Sequence, residues 1–467
     1  MKNAMSKITT SGGRSVGLKL LVVCALVLLM GIPALFISLI AFERSDRANE
    51  VTREVSQNYG GEQTLLGPIW VVPYSETGAP DEDGKRRVST GEYVIFADSG
   101  EVDIPALKTE EKKLSLYRVT TFQAEANFRA TFTRPEVLPG NVTMHWEDSR
   151  ILLGISDVRG LRDDVFLTMP DSEKLKFAPA LGGALSNMRA ARADIEPAYT
   201  QKFRGVSEVS GLQFMEVPIG RNFDGETLNV AATLPIKGAG RIAIVPFAQS
   251  TKSLIAADWP HPSFKGQFPP VDRTITDDGF SAQWSVPLLA RGIPGAGPAH
   301  SIGLERLTQS TMEVSLVQLV TPYQKVNRAL KYAIMFIGLV FLGYFLFEVL
   351  LGQRVHPAQY VLIGLAQCIF YLLLLAFAEH VGFAAAFLIA AAAVVGVTSA
   401  YAGAVFGAGK YALRAGAIFA GIYSLLFVLM QIEDLALLIG AVTSFLAIAG
   451  TMYLTRNINW YSSGEDS

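Results

Sequence analysis

Residues 331–456 form a succession of apolar runs, each about twenty residues long, with scarcely a charge between them. At about 1.5 Å of rise per residue, a helix of that length matches a hydrocarbon layer about 30 Å thick. Five spans parse from the block: Lys331–Leu351, Ala358–Ala378, Phe383–Tyr401, Leu413–Met430 and Leu435–Leu454. Five soluble helices of this composition would have no polar face to turn to water. In lipid each backbone amide must find its partner within its own segment, so these runs are expected to be membrane helices.

A sixth span stands at the other end. Met1–Lys19 carries Lys2, Lys7, Arg14 and Lys19 and no acid, and Gly17–Ala41 is an apolar run containing Pro33. Cleavage after Ala41 would put Leu39 at −3, and cleavage after Ser38 would put Phe36 there, where a signal peptidase needs a small residue. Residues 17–41 therefore read as a retained signal anchor behind a basic cytoplasmic N-terminus, 1–16. Counting loops from that side, Arg354, Lys410, Arg414 and Arg456 fall inside. Glu379-His380-Val381-Gly382 and Gln431-Ile432-Glu433-Asp434, without Lys or Arg, fall outside. This is the positive-inside pattern. It makes both termini cytoplasmic, with a tail at 457–467, and exports residues 42–330. Half the chain is apolar and its formal charge is −2, so the bilayer is the expected partner and nothing points to nucleic acid.

The exported stretch reads as β-rich and sandwich-like, and is long enough to bury a core. Its two ends read as helical stalks. From Phe42 to Tyr59, the charge pattern Glu43/Arg47, Asp46/Glu50 and Arg53 suits a solvated helix with some i,i+4 pairing that stops at Gly60-Gly61. Candidate strands follow at Leu65–Tyr74, Arg87–Phe96, Ser115–Phe122, Ala124–Thr133, Val142–Trp146, Leu212–Val217, Leu228–Leu234, Arg241–Val245, Gly279–Val286 and Thr311–Val320. Pro68 and Pro73 mark the first of these as an edge or bulged strand. Lys174–Arg192 is the one expected helix among them. Ala124–Asp157 and Leu228–Asp258 share an order of strand, break, strand, aliphatic run and aspartate, a candidate duplication. Cys24 and Cys368 both fall in spans, so the exported stretch is built without disulfides. Thr321-Pro322 starts a helix that should run to Gly352 and project by its first third as the second stalk. There Lys325, Arg328 and Lys331 line one face, available to lipid phosphates or simply solvated.

Several runs together resemble the CreD family of bacterial inner-membrane proteins. They are Leu66-Gly67-Pro68-Ile69-Trp70-Val71-Val72-Pro73-Tyr74, Asp258-Trp259-Pro260-His261-Pro262-Ser263-Phe264-Lys265-Gly266 and Phe280-Ser281-Ala282-Gln283-Trp284-Ser285-Val286-Pro287, with Asn327–Ala333, Phe345-Leu346-Phe347-Glu348, His356-Pro357-Ala358-Gln359-Tyr360 and Phe370–Leu375. The resemblance implies an N-terminal anchor, a large periplasmic domain and a helical bundle. It further implies a gene set under a two-component envelope-stress system, linked to colicin tolerance and β-lactam response. It brings no catalytic residue and no cofactor.

The residues themselves add candidates but no enzyme. Asp258, Trp259, His261 and Phe264 form the densest polar and aromatic group outside the membrane block, stiffened by Pro260 and Pro262. They read either as a recognition loop or, more simply, as a crossover whose aromatics plug the core. His145, His261 and His300 lack metal-ligand spacing, and no serine-hydrolase elbow or phosphate loop occurs in a supporting context. Within the spans, Glu348, Gln367, Glu379 and His380 are the polar candidates, acting as interhelical glue or as a proton or ion path. The expected function is a non-enzymatic envelope-integrity and stress protein of the inner membrane, its periplasmic domain binding an envelope partner or ligand. A transporter with a path through the second and third spans ranks second because the five C-terminal spans lack proline except at the Pro357 entry. A membrane-embedded hydrolase ranks third.

Overall fold

The computed structural model describes residues 16–80, 86–114, 117–135, 141–170, 173–180, 200–202, 206, 212–220, 223, 225–316, 322–351, 355–432 and 436–456. The chain divides into a helical unit, residues 1–49 with 319–467, and a β unit, residues 50–318. Helix α1 (Val16–Asn58) contributes to both. In the helical unit follow α2 (Pro322–Lys331), α3 (Ala333–Leu351), α4 (Pro357–Val381), α5 (Phe383–Val405), α6 (Gly409–Gln431) and α7 (Ala436–Thr455). Six helices among the described residues, all of these but α2, are long and apolar enough to cross a membrane. They match the six expected spans. The outside of the unit is apolar, with Leu28, Val397, Leu413 and Phe445 all more than 60 % exposed. That suits a surface whose solvent is lipid.

Two expectations about the helices change. The long helix after Thr321-Pro322 is interrupted at Tyr332, whose amide reaches back to Ala329 O at 3.2 Å. Its first part, α2, is also no projecting stalk, because Tyr323, Val326, Ala329 and Leu330 are buried against the bundle. Spacing of 3, 3 and 1 puts these four on one face, and an amphipathic turn beside apolar helices buries that face. The expected first stalk is likewise more than a solvated helix. The last turns of α1 carry Val51 and Val55 against Val119 and Ala239 of the β unit.

The β unit begins with β1 (Gln63–Pro80), β2 (Arg86–Ile95), β3 (Ala97–Leu114), β4 (Tyr117–Thr133), β5 (Val142–Met144) and β6 (Arg150–Ile155). Short strands come next: β7 (Phe166–Thr168), β8 (Leu175–Lys176), β9 (Ala178–Pro179) and β10 (Thr200–Lys202). β11 (Gln213–Pro218), β12 (Thr227–Ala239), β13 (Arg241–Val245) and β14 (Ala248–Ala257) complete the centre. Last come β15 (Ser263–Gly266), β16 (Asp272–Thr276), β17 (Gly279–Val286), β18 (Ala296–Pro298) and β19 (Met312–Ser315). They form two sheets. One runs β15-β19-β13-β1-β6-β11-β9 with β2, β5, β10 and β18 alongside, and the other runs β16-β17-β14-β3-β4-β12-β7-β8. One continuous apolar core lies between them.

β1 is central, between β13 and β6, and not an edge. Its prolines are accommodated where the ladder needs no donor. The register with β6 shifts between Leu66 and Ile69, around Pro68, and Pro73 falls where β6 has ended and β5 has yet to begin. A bulge and a change of neighbour thus allow proline inside a sheet. Lys174–Pro179 forms β8 and β9 instead of the start of the expected helix, and the remainder of that segment, from 181, lies outside the described residues. The two stretches of the candidate duplication end in different sheets, the first at β6 and the second at β14, so their likeness in order is not a likeness in placement.

Phe247 accounts for two glycines. A Cβ at Gly67 would lie 2.5 Å from its Cγ, and one at Gly100 would lie 2.5 Å from its Cε2. Gly67 is on β1 and Gly100 on β3, so one ring fills the space between the sheets where both give up a side chain. Trp70, three residues on, gathers Phe132, Trp146 and Phe223 at centroid distances of 6.2, 5.3 and 5.9 Å.

Candidate functional site

The loop from Asp258 to Phe264 carries the chain from β14 in one sheet to β15 in the other. Asp258 Oδ1 accepts from Thr109 N at 2.7 Å and from Thr109 Oγ1 at 2.8 Å. Trp259 is buried and donates its Nε1 to His261 O at 2.9 Å. Phe264 meets Phe280 and Trp284 edge-on at 5.6 and 5.9 Å, and Trp284 Nε1 donates to Phe268 O. The second and third runs that carry the family resemblance are therefore one aromatic cluster in space. Three of the four candidate loop residues are occupied in holding the crossover. Asp258 and His261 are exposed, and of the two only His261 is left out of these contacts through its side chain.

Beside this loop the guanidinium of Arg273, on β16, lies 5.6 Å from the Phe264 ring. β16 pairs with β17 and with no other described strand, and all five of its residues are exposed. Ile275 and the preceding Val271 are 48 % and 73 % exposed. An unpaired edge of this kind presents backbone donors and acceptors to whatever strand arrives.

The β unit also holds a buried charge cluster that the sequence reading missed. Arg150 on β6 bonds Glu92 on β2, and its Nε lies 3.1 Å from Glu216 Oε2 on β11, a charge contact whose angle falls short of a hydrogen bond. Glu92 also accepts Val206 N at 2.7 Å. Burial, only partly offset by Arg150 and reinforced by Glu92, raises the Glu216 pKa. Its signal in the sequence was a single Arg opening an otherwise aliphatic run, Arg150–Ile155.

In the helical unit the polar candidates fall into three separate groups. At one end Glu348, 5 % exposed, takes Lys19 Nζ and Val355 N on Oε1 at 2.5 and 3.1 Å, and the Tyr360 hydroxyl on Oε2 at 3.0 Å. The turn that delivers Tyr360 is built by its own sequence. His356 Nδ1 accepts Ala358 N, Gln359 Oε1 accepts His356 N, and Pro357 opens the helix, a capping box with proline in the first turn. The resemblance runs ending in Glu348 and Tyr360 thus meet at one carboxylate, and Lys19 of α1 completes it. About 10 Å along α4, Gln367 accepts the Tyr423 hydroxyl at 2.7 Å. Between the two groups Gly364 is closed over, since a Cβ there would lie 2.6 Å from Met30 Sδ and 2.9 Å from Phe341 Cζ. At the far end Glu379 accepts the Tyr323 hydroxyl at 3.1 Å, while His380 is exposed.

Of the expected lipid-facing row on α2, Lys325 lies over the Phe383 ring at 5.7 Å, Arg328 is half-buried and Lys331 is exposed. These residues flank the buried face and do not form a separate exposed one. With Lys19 against Glu348, the start of α1 and the end of α3 share one end of the bundle. Helices that alternate in direction bring Lys410 and Arg414 at the start of α6, and Arg456 after α7, to that same end.

Residues 15–461 match the family described as Inner membrane protein CreD. The chain is also 29 % identical over 446 residues to the Inner membrane protein CreD of Escherichia coli (strain K12), covering 93 % of this chain and 92 % of that protein. The match takes in both the β unit and the helical unit, with every group of residues described above, and the chain belongs to the CreD family.

Proposed function

We propose that this is a non-enzymatic protein of the bacterial inner membrane that serves envelope integrity under stress. Both termini lie in the cytoplasm, residues 42–330 lie in the periplasm, and the β-rich domain engages an envelope partner. The orientation is supported by the charges at the bundle ends. Lys19, Lys410, Arg414 and Arg456 share the end marked by Glu348; the other end, marked by Glu379, has short loops without Lys or Arg, and its cations on α2 adjoin the long exported stretch, which the positive-inside rule largely exempts.

The observation that carries the binding role is β16, an exposed outermost strand bearing Arg273 and Ile275, with exposed Val271 just before it. An extended segment of a partner adds to such an edge by main-chain hydrogen bonds, with side chains supplying selectivity. Glu348, by contrast, has its oxygens occupied by Lys19, Val355 and Tyr360, which is how an anchor between helices is built. A photocrosslinking residue at position 275 of the full-length protein, in cells under envelope stress, should yield a covalent adduct that a matched probe at Asn229 does not. No adduct at 275 or 271 refutes the binding role. A cysteine at Thr274 should react with an impermeant maleimide in intact spheroplasts, and protection until lysis refutes the orientation.

A further inference from the structure

The helical unit carries a groove of about 560 Å³ between α3, α6 and α7, lined from Leu339 to Leu346, from Ile418 to Leu425 and from Thr443 to Leu454. Its wall is apolar, and Thr451 turns its hydroxyl back onto Ala447 O. Gly421 and Gly450 face it with open space, because a Cβ at either would meet nothing within 4 Å. The eleven-residue reach along α7 is about 16 Å. That is close to half of a hydrocarbon core about 30 Å thick, the depth of one leaflet. A crossing helix from a second protein would need a groove about twice as long.

The α3 and α6 walls of the groove, Leu339–Leu346 and Ile418–Leu425, lie at mid-helix, and the α7 wall carries it on to one end. Leu454 is the penultimate residue of α7, next to Arg456, and Arg414 stands one turn before Ile418 toward that same end. Arg414 precedes the groove residues Ile418, Gly421, Ile422 and Leu425 by 4, 7, 8 and 11 positions, which puts it on the same face of α6. All three cations are exposed, and among the described residues none meets a carboxylate. Lys410 and Arg414 lie near the Tyr411 ring at 5.1 and 5.9 Å, and Arg456 lies over Tyr453 at 4.3 Å.

We infer that this groove holds one acyl chain of an anionic phospholipid, whose phosphate is met by Arg414 with Lys410 and Arg456. The length selects a chain of one leaflet, and the three uncompensated cations at its open end select a negative headgroup. The site is independent of the β16 edge and does not depend on which way the protein faces.

The test uses the full-length protein in nanodiscs of equal phosphatidylglycerol and phosphatidylethanolamine, with retained lipid counted by native mass spectrometry. Phosphatidylglycerol should be enriched on the protein over the bulk. Removing one cation (R414Q) should lower that enrichment roughly fivefold, the factor for about 1 kcal/mol, and K410Q/R414Q/R456Q together should abolish it. Gly421→Leu with Gly450→Leu places side chains in the groove from positions where a Cβ meets open space, and should abolish retention while unchanged circular dichroism and elution show the fold intact. Equal retention of the two lipids overturns the site. Enrichment that the charge variants lower but the glycine variant leaves alone means a headgroup held on the surface, and overturns the groove. A wild-type dimer that the glycine variant separates means that a second copy fills it, and overturns the lipid.

Discussion

The two buried carboxylate clusters of this protein solve the same problem with opposite ratios. In the β unit one guanidinium, Arg150, serves two acids, Glu92 and Glu216, and all three side chains are less than 20 % exposed. In the helical unit one acid, Glu348, is served by Lys19, the Tyr360 hydroxyl and the Val355 amide, and Lys19 keeps 35 % of its side chain exposed. The first arrangement sets two acids against one cation, and burial, only partly offset by Arg150 and reinforced by Glu92, raises the Glu216 pKa. The second leaves the carboxylate with three donors and the cation within reach of headgroups. A sandwich core must balance charge internally, whereas a membrane protein can let its cation rest at the interface.

The largest effect that could break this contrast is at Arg150. Arg150→Met strands two acids in the core and should cost about 3–5 kcal/mol in denaturant unfolding of the β unit; a loss below about 1 kcal/mol would mean that the pairs organise nothing. Glu348→Gln keeps the shape but removes the charge. Because Lys19 is part-exposed, the cost should be about 1–3 kcal/mol in thermal stability, and Tyr360→Phe should lose less than Glu348→Gln.

The pH dependence sharpens the comparison. A carboxyl whose folded pKa lies above its unfolded value stabilises the fold at low pH, and that contribution is lost as pH rises through the folded pKa. Glu216 is such a group. Lowering the pH from neutral toward the ordinary carboxylate range should therefore add stability from this site, and Glu216→Gln should flatten that part of the profile. An unchanged profile would show that Glu216 is well compensated by Arg150. The smallest effect is expected at the far end of the bundle. Tyr323→Phe removes one half-buried hydrogen bond to Glu379, about 0.5–1.5 kcal/mol, read as a small drop in melting temperature.

How much of this could be read in advance depended on whether the signal was local. β13 and β17 were legible to the residue, since Gly240 and Pro246 bracket the first, an apolar run after Arg241, and Pro287 closes the second, which opens at Gly279 and alternates toward its end. β3 was overlooked. Val102 and Ile104 alternate, but the register shifts between Asp103 and Lys108, so Leu107 falls out of phase among charged residues. Arg150–Ile155 showed no alternation because every residue of β6 is buried. The Lys19–Glu348 contact spans 329 positions and has no local trace. The runs ending in Glu348 and Tyr360 were both noticed, yet nothing in them said that they meet.

What the sequence determined by itself is the division of the chain: six helices for lipid, and a watery β-rich stretch between the first and the rest. Hydropathy over twenty residues is a property of the segment, and the bilayer reads it segment by segment. Tertiary structure decided the partners. It made β1 central despite its internal Pro68 and Pro73, folded α2 onto the bundle, joined Lys19 to Glu348 and Arg150 to two acids, and left β16 and the α3–α6–α7 groove open. Each of these depends on which surfaces remain after the others have closed, and a buried charge is stable only beside a group that the chain brings from far away.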